Sequence, residues 1–248
     1  QRTESSRNIA IVGPYGSGKT TLLESLLSVT GAISRKGEVA KGNTVGDSAP
    51  EAQNRHMTVE INAAYAEYGG ICFNFLDCPG SVELLQETTN ALVGVDAAIV
   101  VCDPDPGRAL TVAPLLQFLD TWEIPHIIWI NKADKANNSF RDVLDALKSL
   151  STRPLVPHQN PIGKGADLIG FIDLVTEQAY HYHIDAPADP VELPLALAAA
   201  EKAARSEMLE TLADFDDHLL EELIEEIEPP QEEIVKDLKM ELGADLVV

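Results

Sequence analysis

A glycine-rich octapeptide between an apolar run and a helix-like segment constrains this chain more than any other feature. The octapeptide at 13–20 reads GPYGSGKT and fits the pattern GxxxxGKS/T. The run NIAIV before it suits a buried strand, and TTLLESLLSV after it has apolar residues at helical spacing. Glycines let successive backbone N–H groups face inward, and the following helix presents its positive dipole end to an anion. The sequence therefore predicts a phosphate-binding loop within a strand–loop–helix unit.

Apolar runs and helical patterns alternate up to about residue 150. The runs 97–102 (AAIVVC) and 126–130 (HIIWI) are continuous, as expected for parallel strands covered on both faces. A long polar loop is predicted at 31–58, a length that is usually functional. The remaining predicted elements are strands at 59–66 and 71–77 and helices at 82–93, 109–121 and 139–150. This alternation predicts an α/β fold with a mainly parallel sheet and helices on both faces.

The sequence pattern changes from about Arg153. Short runs interrupted by prolines come first, and acidic amphipathic helices follow them. Residues 201–248 carry 16 Asp and Glu against 4 Lys and Arg. Such a concentration indicates either the solvated face of helices or a site for a basic partner, and the first is the commoner case. Apolar residues at a spacing of three or four predict one buried helical stripe, formed by Leu212, Phe215, Leu219, Leu223 and Ile227. We therefore expect a second, acidic lobe.

The charge of the chain and the distribution of its apolar residues argue against a nucleic-acid-binding segment, a membrane span and a signal peptide. A net charge of −22 argues against direct nucleic-acid binding by this segment, and Trp122 and Trp129 lack basic neighbours with which to stack bases. No apolar run reaches the roughly 18 residues of a membrane span, and residues 1–8 are too polar for a signal peptide. The cysteines lack a CxxC pairing, which predicts reduced core thiols in a cytoplasmic protein; they are Cys72, Cys78 and Cys102.

A second motif, DCPG at 77–80, ends the predicted strand 71–77. An acid at this strand end is placed to hold Mg²⁺ through water, and the Gly80 N–H can contact a γ-phosphate and sense its loss. In the phosphate-binding loop, Lys19 supplies charge to the β- and γ-phosphates, and the Thr20 hydroxyl can bind Mg²⁺. Alone, DxPG is more often a plain turn. The loop upstream favours the functional interpretation.

A third motif, NKAD at 131–134, follows the HIIWI strand and fits NKxD. The Asp134 carboxylate can accept hydrogen bonds from the ring N–H and amino group of guanine but not from adenine, and such sites can discriminate by roughly 10⁴-fold. Alone, the tetrapeptide fits a polar strand-end turn equally well. The order and spacing of the three motifs predict GTP or GDP with Mg²⁺. The predicted nucleotide-binding residues are Gly13, Tyr15, Gly16, Ser17, Gly18, Lys19, Thr20, Thr21, Asp77, Gly80, Asn131, Lys132 and Asp134.

These motifs and the strings around them resemble bacterial elongation factor G, especially its elongation factor G-like paralogues. Similar strings in its GTPase domain are GAISRKGEV, TVGDSAPEAQNRHMTVEI, FNFLDCPGSVELLQE, ALVGVDAAIVV and IPHIIWINKADK. RPLVPHQNPIG, FIDLVTEQAYHY and ADFDDHLLEELIEEIEPPQEEI follow the family into the subdomain inserted in that domain. The resemblance covers nearly the whole chain. It implies a P-loop GTPase domain at 1–155, an inserted acidic α+β subdomain at 156–245 and, at 246–248, the start of a strand returning to the GTPase domain.

The resemblance also implies a longer protein. The family's last guanine-contacting motif and its ribosome-engaging domains come beyond the position of Val248, and Gln1 is not an initiator Met. We therefore expect this chain to be the front part of the protein. The full-length protein would be a cytoplasmic monomer that works on the ribosome.

Catalytic positions follow from the same resemblance, and several of them differ here. Thr58 matches the switch threonine that binds Mg²⁺ and senses the γ-phosphate, so the implied metal ligands are Thr20, Thr58 and Asp77. Ser81 replaces the histidine that orients the attacking water, a loss that typically removes about 10²–10⁴-fold of rate. Gly16 and His56 also depart from the family, which has an acid and a glycine there. The catalytic candidates are Ser81, Thr58, Gly80 and Lys19. We expect GTP binding with slow hydrolysis.

Three interpretations stay open. The first is a GTP-dependent switch of the translation-factor type with slow hydrolysis. The second is a GTP-binding regulatory module with vestigial hydrolysis, which Ser81 favours. The third is a ribosome-protection factor related to elongation factor G, which only the C-terminal domains would distinguish. Separately, His181 and His183 alternate on one predicted strand like a metal pair, but without a third ligand we favour solvent-facing strand residues.

Overall fold

The apolar runs of the first half form one five-stranded sheet in the computed structural model, which describes residues 6–46, 58–184 and 186–248. The strands are β1 Ser6–Val12, β2 Asn62–Tyr68, β3 Ile71–Asp77, β4 Ala97–Cys102 and β5 His126–Ile130. Their order is β2-β3-β1-β4-β5, with β2 antiparallel to β3 and the other four parallel. The carboxyl ends of the parallel strands therefore meet at one edge, where ligands of such sheets bind.

Helices cover this sheet on both faces. They are α1 Lys19–Val29, α2 Leu85–Leu92 and α3 Ala113–Thr121. Ile11 packs with Leu23 and Leu27 of α1 in one core cluster. Its neighbours Ala10 and Val12 point to the opposite face, because strand side chains alternate, and they are fully buried as well. The predicted α/β fold with a mainly parallel sheet is confirmed.

The rest of the chain forms a second, antiparallel sheet with its own helices. The chain divides into two compact units, the second of which comprises Pro104–Gly107 and Lys132–Val248. Its strands, in order across the sheet, are β6 Gln159–Ile162, β7 Gly170–Asp173, β8 Gln178–His183 and β9 Ala186–Val191. Its helices are α4 Phe140–Lys148, α5 Ala198–Ala213, α6 Asp217–Ile224 and α7 Gln231–Gly243. Its core joins sheet and helices through Ile162, Ile172, Leu174, Met208, Leu212, Leu219 and Ile234.

The single buried stripe predicted for residues 212–227 is wrong, because two helices share it. Helix α5 ends at Ala213, and the Asp216 side chain caps α6 by accepting hydrogen bonds from two backbone N–H groups of its first turn. Phe215 lies in this break and is 40% exposed, and Ile227 lies beyond the end of α6 and is 48% exposed. The regular spacing in the sequence thus continues across a break between two helices, and the buried stripe does not.

The segment 132–155 lies in the second compact unit, although the family resemblance implies that it belongs to the first domain. Glu207 of α5 accepts hydrogen bonds from Arg141 and Lys148 of α4, both at 2.6 Å. The backbone of Val248 is hydrogen-bonded to the segment around Pro154. These contacts hold the segment to the second unit, and the domain boundaries at 155 and 245 stay a prediction.

Some sequence predictions fall outside the described residues, namely those on residues 1–5 and on 47–57 with His56. In the described part of the long loop, a short 3-10 turn occupies Val39–Lys41. Another, Val82–Leu84, replaces the first turn of the helix predicted at 82–93. Among the described helices, none combines the length and apolar character of a membrane span.

Candidate nucleotide-binding site

Residues 13–18 connect β1 to α1, where the sequence predicts a phosphate-binding loop. Gly13, Gly16 and Gly18 all have positive φ, which glycine adopts without strain. Ser17 is fully buried, and its Oγ has no hydrogen-bond partner among the described residues. Helix α1 begins at Lys19, directly after the loop. An anion in this loop would therefore meet backbone N–H groups and the positive end of the helix dipole.

Lys19 lies over this loop and is only 6% exposed. Its Nζ donates hydrogen bonds to the carbonyl of Gly13 at 3.0 Å and to that of Pro14 at 3.3 Å. Gly80 of the DCPG motif approaches so closely that a Cβ there would lie 2.4 Å from Nζ and 2.7 Å from the Tyr15 nitrogen. The absence of a side chain at position 80 thus lets the loop, the ammonium group and the second motif meet.

Three oxygen donors cluster at the start of α1. Thr20 Oγ1 donates a hydrogen bond to Asp77 Oδ2 at 2.7 Å and lies 3.2 Å from Thr58 Oγ1. Asp77 is fully buried, and both threonines are 7% exposed. The cluster joins α1, the end of β3 and the end of the long loop. Hydroxyl and carboxylate oxygens are the donors that Mg²⁺ prefers, so these residues fit a magnesium ion.

The thiol of Cys78, next to Asp77, does not join this donor set. Burial, and next the negative charge of Asp77, raise the pKa of Cys78 to about 12. The thiol therefore stays protonated at neutral pH, and a protonated thiol is a poor ligand. The Cys78 backbone N–H donates to the Ile11 carbonyl at 3.1 Å, which fixes the end of β3 beside β1.

Asn131 braces the phosphate-binding loop from the end of β5. Its Nδ2 donates to the Ser17 carbonyl at 2.8 Å, and its backbone N–H donates to the Cys102 carbonyl at 2.9 Å. Gly18 leaves room for this amide, because a Cβ there would lie 2.3 Å from Nδ2. The third motif therefore contacts the first through its asparagine, while the role of Asn131 toward guanine stays a prediction.

Lys132 and Asp134 belong to the second compact unit. Lys132 has φ 56° and ψ 37°, in the left-handed region, and it precedes a 3-10 turn at Ala133–Lys135. The Asp134 side chain on this turn is exposed. In the same unit, Lys164 Nζ donates to the Asn137 carbonyl at 3.3 Å and helps to hold the segment after the turn. An exposed carboxylate on a short turn is available to a ligand.

Ser81 follows Gly80 and precedes the 3-10 turn at 82–84, and it is partly exposed. Its backbone is extended, and its carbonyl accepts from the Leu84 N–H at 3.1 Å. On the other side, Thr88 Oγ1 of α2 donates to the Pro79 carbonyl at 3.0 Å. Ser81 is thus attached to a braced turn, but its hydroxyl cannot carry the positive charge that a histidine can.

Comparison with known proteins identifies the class of this site. The family described as "Elongation factor Tu GTP binding domain" matches residues 4–229. The chain belongs to this family. An elongation factor G-like protein of Synechocystis sp. is 62% identical over 245 residues, and elongation factor G of Thermotoga petrophila is 32% identical over 235 residues. The sequence-based resemblance to elongation factor G is therefore confirmed.

Structural comparison agrees with membership in this GTP-binding family. A crystal structure of a protein from Thermus thermophilus matches 97% of this chain with a TM-score of 0.88 and 31% identity. The chain spans only 37% and 34% of the two relatives named above and 36% of the Thermus chain. The family establishes a GTPase-type domain that takes guanine nucleotides, while the roles of individual site residues stay predictions.

Glu24 has a role in this GTP-binding domain that the sequence motifs did not predict. It is 1% exposed, and its carboxylate accepts hydrogen bonds from the backbone N–H groups of Gly37 at 2.7 Å and Val45 at 2.5 Å. It therefore fastens the first half of the long loop to α1, one turn after Thr20. The sequence carries one signal of this role, because Glu24 is an acidic residue next to Leu23, on the apolar side of the helix.

Proposed function

We propose that this chain is the nucleotide-binding part of a translation factor related to elongation factor G, and that it binds GTP with Mg²⁺ as a switch. The observation that carries the proposal is the buried cluster of Thr20, Thr58 and Asp77 beside the phosphate-binding loop. Membership in the GTP-binding family supports the guanine nucleotide. The identity of 62% to an elongation factor G-like protein supports the translation-factor class.

Phosphate binding rests on Lys19 and the loop N–H groups. Two neutral carbonyls hold the Lys19 ammonium at 3.0 and 3.3 Å. A triphosphate that enters the loop competes with these carbonyls and wins, because its oxygens carry full negative charge and the site excludes most water. The dipole of α1 adds to this preference for an anion.

Thr20, Thr58 and Asp77 would hold the Mg²⁺. Bound there, the ion neutralises charge on the β- and γ-phosphate oxygens. Thr20 and Asp77 lie on α1 and at the end of β3, whereas Thr58 lies at the end of the long loop. Loss of the γ-phosphate therefore weakens the hold on Thr58 most, because the loop has few apolar anchors of its own.

Base selection rests on Asp134. Its exposed carboxylate can accept hydrogen bonds from the ring N–H and amino group of guanine. Adenine offers no matching pair of donors, so it would leave the acceptor without partners at about 1–3 kcal/mol for each lost bond. Asn131 supports this selection indirectly by bracing the loop at Ser17.

Hydrolysis is slow in this proposal because of Ser81. Water attacks the γ-phosphorus, the bond to the bridging oxygen of GDP breaks, and the proton of the water ends on the released phosphate. The Ser81 hydroxyl is short and neutral, so it orients this water less well than a histidine would. We expect a rate near the unassisted value of P-loop GTPases, about 10⁻⁴ s⁻¹.

A regulatory module in which GTP binding alone sets the conformation is a second candidate, and Ser81 is the observation that favours it. The ribosome as partner is a proposal that rests on the relation to elongation factor G. The cytoplasmic location and the monomeric state stay predictions from the sequence. Single-turnover GTP hydrolysis by the full-length protein separates the candidates. Stimulation by ribosomes supports the translation factor, and an unchanged rate near zero supports the regulatory module.

Nucleotide binding is tested directly with fluorescent GTP and ATP analogues in Mg²⁺ and in EDTA. We expect GTP to bind at least about 10³-fold more tightly than ATP and its affinity to fall without Mg²⁺. Thr20→Ala should raise the Mg²⁺ requirement by about tenfold or more. Thr89→Ala on α2 is the control, because Thr89 lies outside the three motifs and its hydroxyl donates to the Gln86 carbonyl. Equal GTP and ATP affinities, or an unchanged Mg²⁺ requirement in Thr20→Ala, would refute the assignment.

A further inference from the structure

The second unit brings together a histidine and two glutamates outside the nucleotide-binding site. His218 and Glu222 lie on α6 and Glu233 lies in the first turn of α7, and one ligand atom of each lies within 4.8 Å of the other two. His218 Nδ1 is 2.9 Å from Glu233 Oε1. A spacing of four residues puts His218 and Glu222 on one face of α6. The cluster therefore bridges two helices.

A fully buried carboxylate accompanies this cluster. Asp237 follows Glu233 by one turn of α7 and is 0% exposed, and neither of its oxygens has a hydrogen-bond partner among the described residues. The Lys236 ammonium lies 3.9 Å from Asp237 Oδ1, too far for a hydrogen bond. His218 and Glu233 are among the charged groups that act on Asp237. Buried carboxylate oxygens without donors are uncommon and call for an account such as a proton, a water or a bound cation.

A second unpartnered carboxylate oxygen belongs to Glu222, within the cluster itself. Its Oε2 is buried and has no hydrogen-bond partner among the described residues. The surrounding chain offers little positive charge, because residues 201–248 contain 16 Asp and Glu against 4 Lys and Arg. A cation held between α6 and α7 would supply the missing partner.

We propose that His218, Glu222 and Glu233 bind a divalent cation of the zinc type. One imidazole nitrogen and two carboxylate oxygens form a common ligand set for Zn²⁺, with water as the fourth ligand. Mg²⁺ and Ca²⁺ prefer shells made of oxygen alone and of higher coordination number. The bound ion joins the N-terminal turn of α7 to α6 and stabilises this helix pair. The inference is independent of the proposed nucleotide function.

The test is titration of the purified protein with Zn²⁺ by calorimetry, in a buffer with excess Mg²⁺ and GDP that occupies the nucleotide site. A Cys72→Ser background removes the most exposed of the three thiols. We expect one equivalent of Zn²⁺ to bind and to raise the thermal midpoint by a few degrees. His218→Ala and Glu222→Gln should each weaken binding at least about tenfold, since even outer partners of a metal site contribute about 10–100-fold.

Two matched variants serve as controls. His183→Ala removes one histidine of the pair 181 and 183 that the sequence offered as metal ligands, and its Nε2 lies 2.9 Å from Asp189 Oδ2. Glu221→Gln removes an exposed acid next to Glu222. Both should bind Zn²⁺ like the parent protein. The proposal is overturned if the parent binds Zn²⁺ with a dissociation constant above about 100 µM, which corresponds to a binding free energy of about −5.5 kcal/mol. It is also overturned if His183→Ala weakens binding as much as His218→Ala does.

Discussion

The carboxylate of Glu24, in the middle of α1, accepts a hydrogen bond from the backbone N–H of Gly37 at 2.7 Å. Its other oxygen accepts from the Val45 N–H at 2.5 Å. The other end of the long loop meets the same helix where Thr58 Oγ1 lies 3.2 Å from Thr20 Oγ1. One helix therefore holds the loop at two places, one with a protein carboxylate and one at the predicted Mg²⁺ ligands.

Replacement of Glu24 by Ala should loosen the first half of the loop. Hydrogen bonds to a charged group contribute about 1.5–3 kcal/mol each, so we expect the free energy of unfolding to fall by about 3 kcal/mol. Hydrogen exchange should become faster at the Gly37 and Val45 amides. Glu67→Ala, at an exposed position on β2, is the control. Unchanged exchange at both amides would show that Glu24 does not anchor the loop.

Asp134→Asn should change the base preference. The asparagine amide can donate a hydrogen bond to the 2-oxo group of xanthine, whereas it cannot accept both donors of guanine. We expect weaker GTP binding and stronger binding of xanthosine triphosphate, measured by competition with a fluorescent nucleotide. Asp145→Asn, on the exposed face of α4, should leave both affinities unchanged. Retention of full GTP preference by Asp134→Asn would place base recognition elsewhere.

Ser81→His in the full-length protein should raise ribosome-dependent GTP hydrolysis. An orienting group contributes about 10²–10⁴-fold, although Gly16 also departs from the family, and effects of coupled catalytic residues are not additive. Val82→His is the matched control, because Val82 is the next residue and is 87% exposed. Single-turnover rates with ribosomes compare the three proteins. Fast ribosome-stimulated hydrolysis by the protein with its natural Ser81 would rule out this explanation.

Glu241 on α7 should make the stability of the protein fall as the pH rises. Burial, then the negative charges of Asp237 and Asp216, raise the pKa of Glu241 to about 7 in the folded state. Between an ordinary value of 4.5 and about 7, the folded protein holds a proton that the unfolded chain has lost. The stabilisation is therefore complete below pH 4.5 and is lost as the pH rises through 7.

Urea unfolding between pH 5 and 8 in metal-free buffer measures this effect. Glu241→Gln mimics the protonated carboxyl, so the variant should match the parent near pH 5 and exceed its stability at pH 8. Glu221→Gln, at an exposed position on α6, should keep the slope of the parent. A parent protein whose stability rises over this range would contradict the prediction.

Much of the nucleotide-binding site could be predicted because its chemistry is local in sequence. The octapeptide 13–20, DCPG and NKAD each place a ligand group beside a strand end. Parallel strands bring such ends to one edge whatever the details of packing. The hydrophobic pattern likewise predicted β1 and β4, which carry buried residues on both faces. The prediction that β5 is covered on both faces is wrong, because Ile127 and Trp129 are 39% and 43% exposed, and most of β2 is exposed as well.

Only the tertiary structure revealed the features that depend on contacts between segments far apart in the sequence. Only the fold shows that Thr58 lies 3.2 Å from Thr20, that Glu24 binds the loop, and that α5 ends before the helix carrying His218 begins. The sequence by itself determined the class of fold and the predicted ligand, because these follow from spacing along the chain. Three features could be seen only in the folded chain: the contacts of Glu24 with the loop, the break in the predicted stripe at 212–227, and the histidine–glutamate cluster. They depend on how separate segments pack together, and the spacing of residues along the chain does not encode that packing.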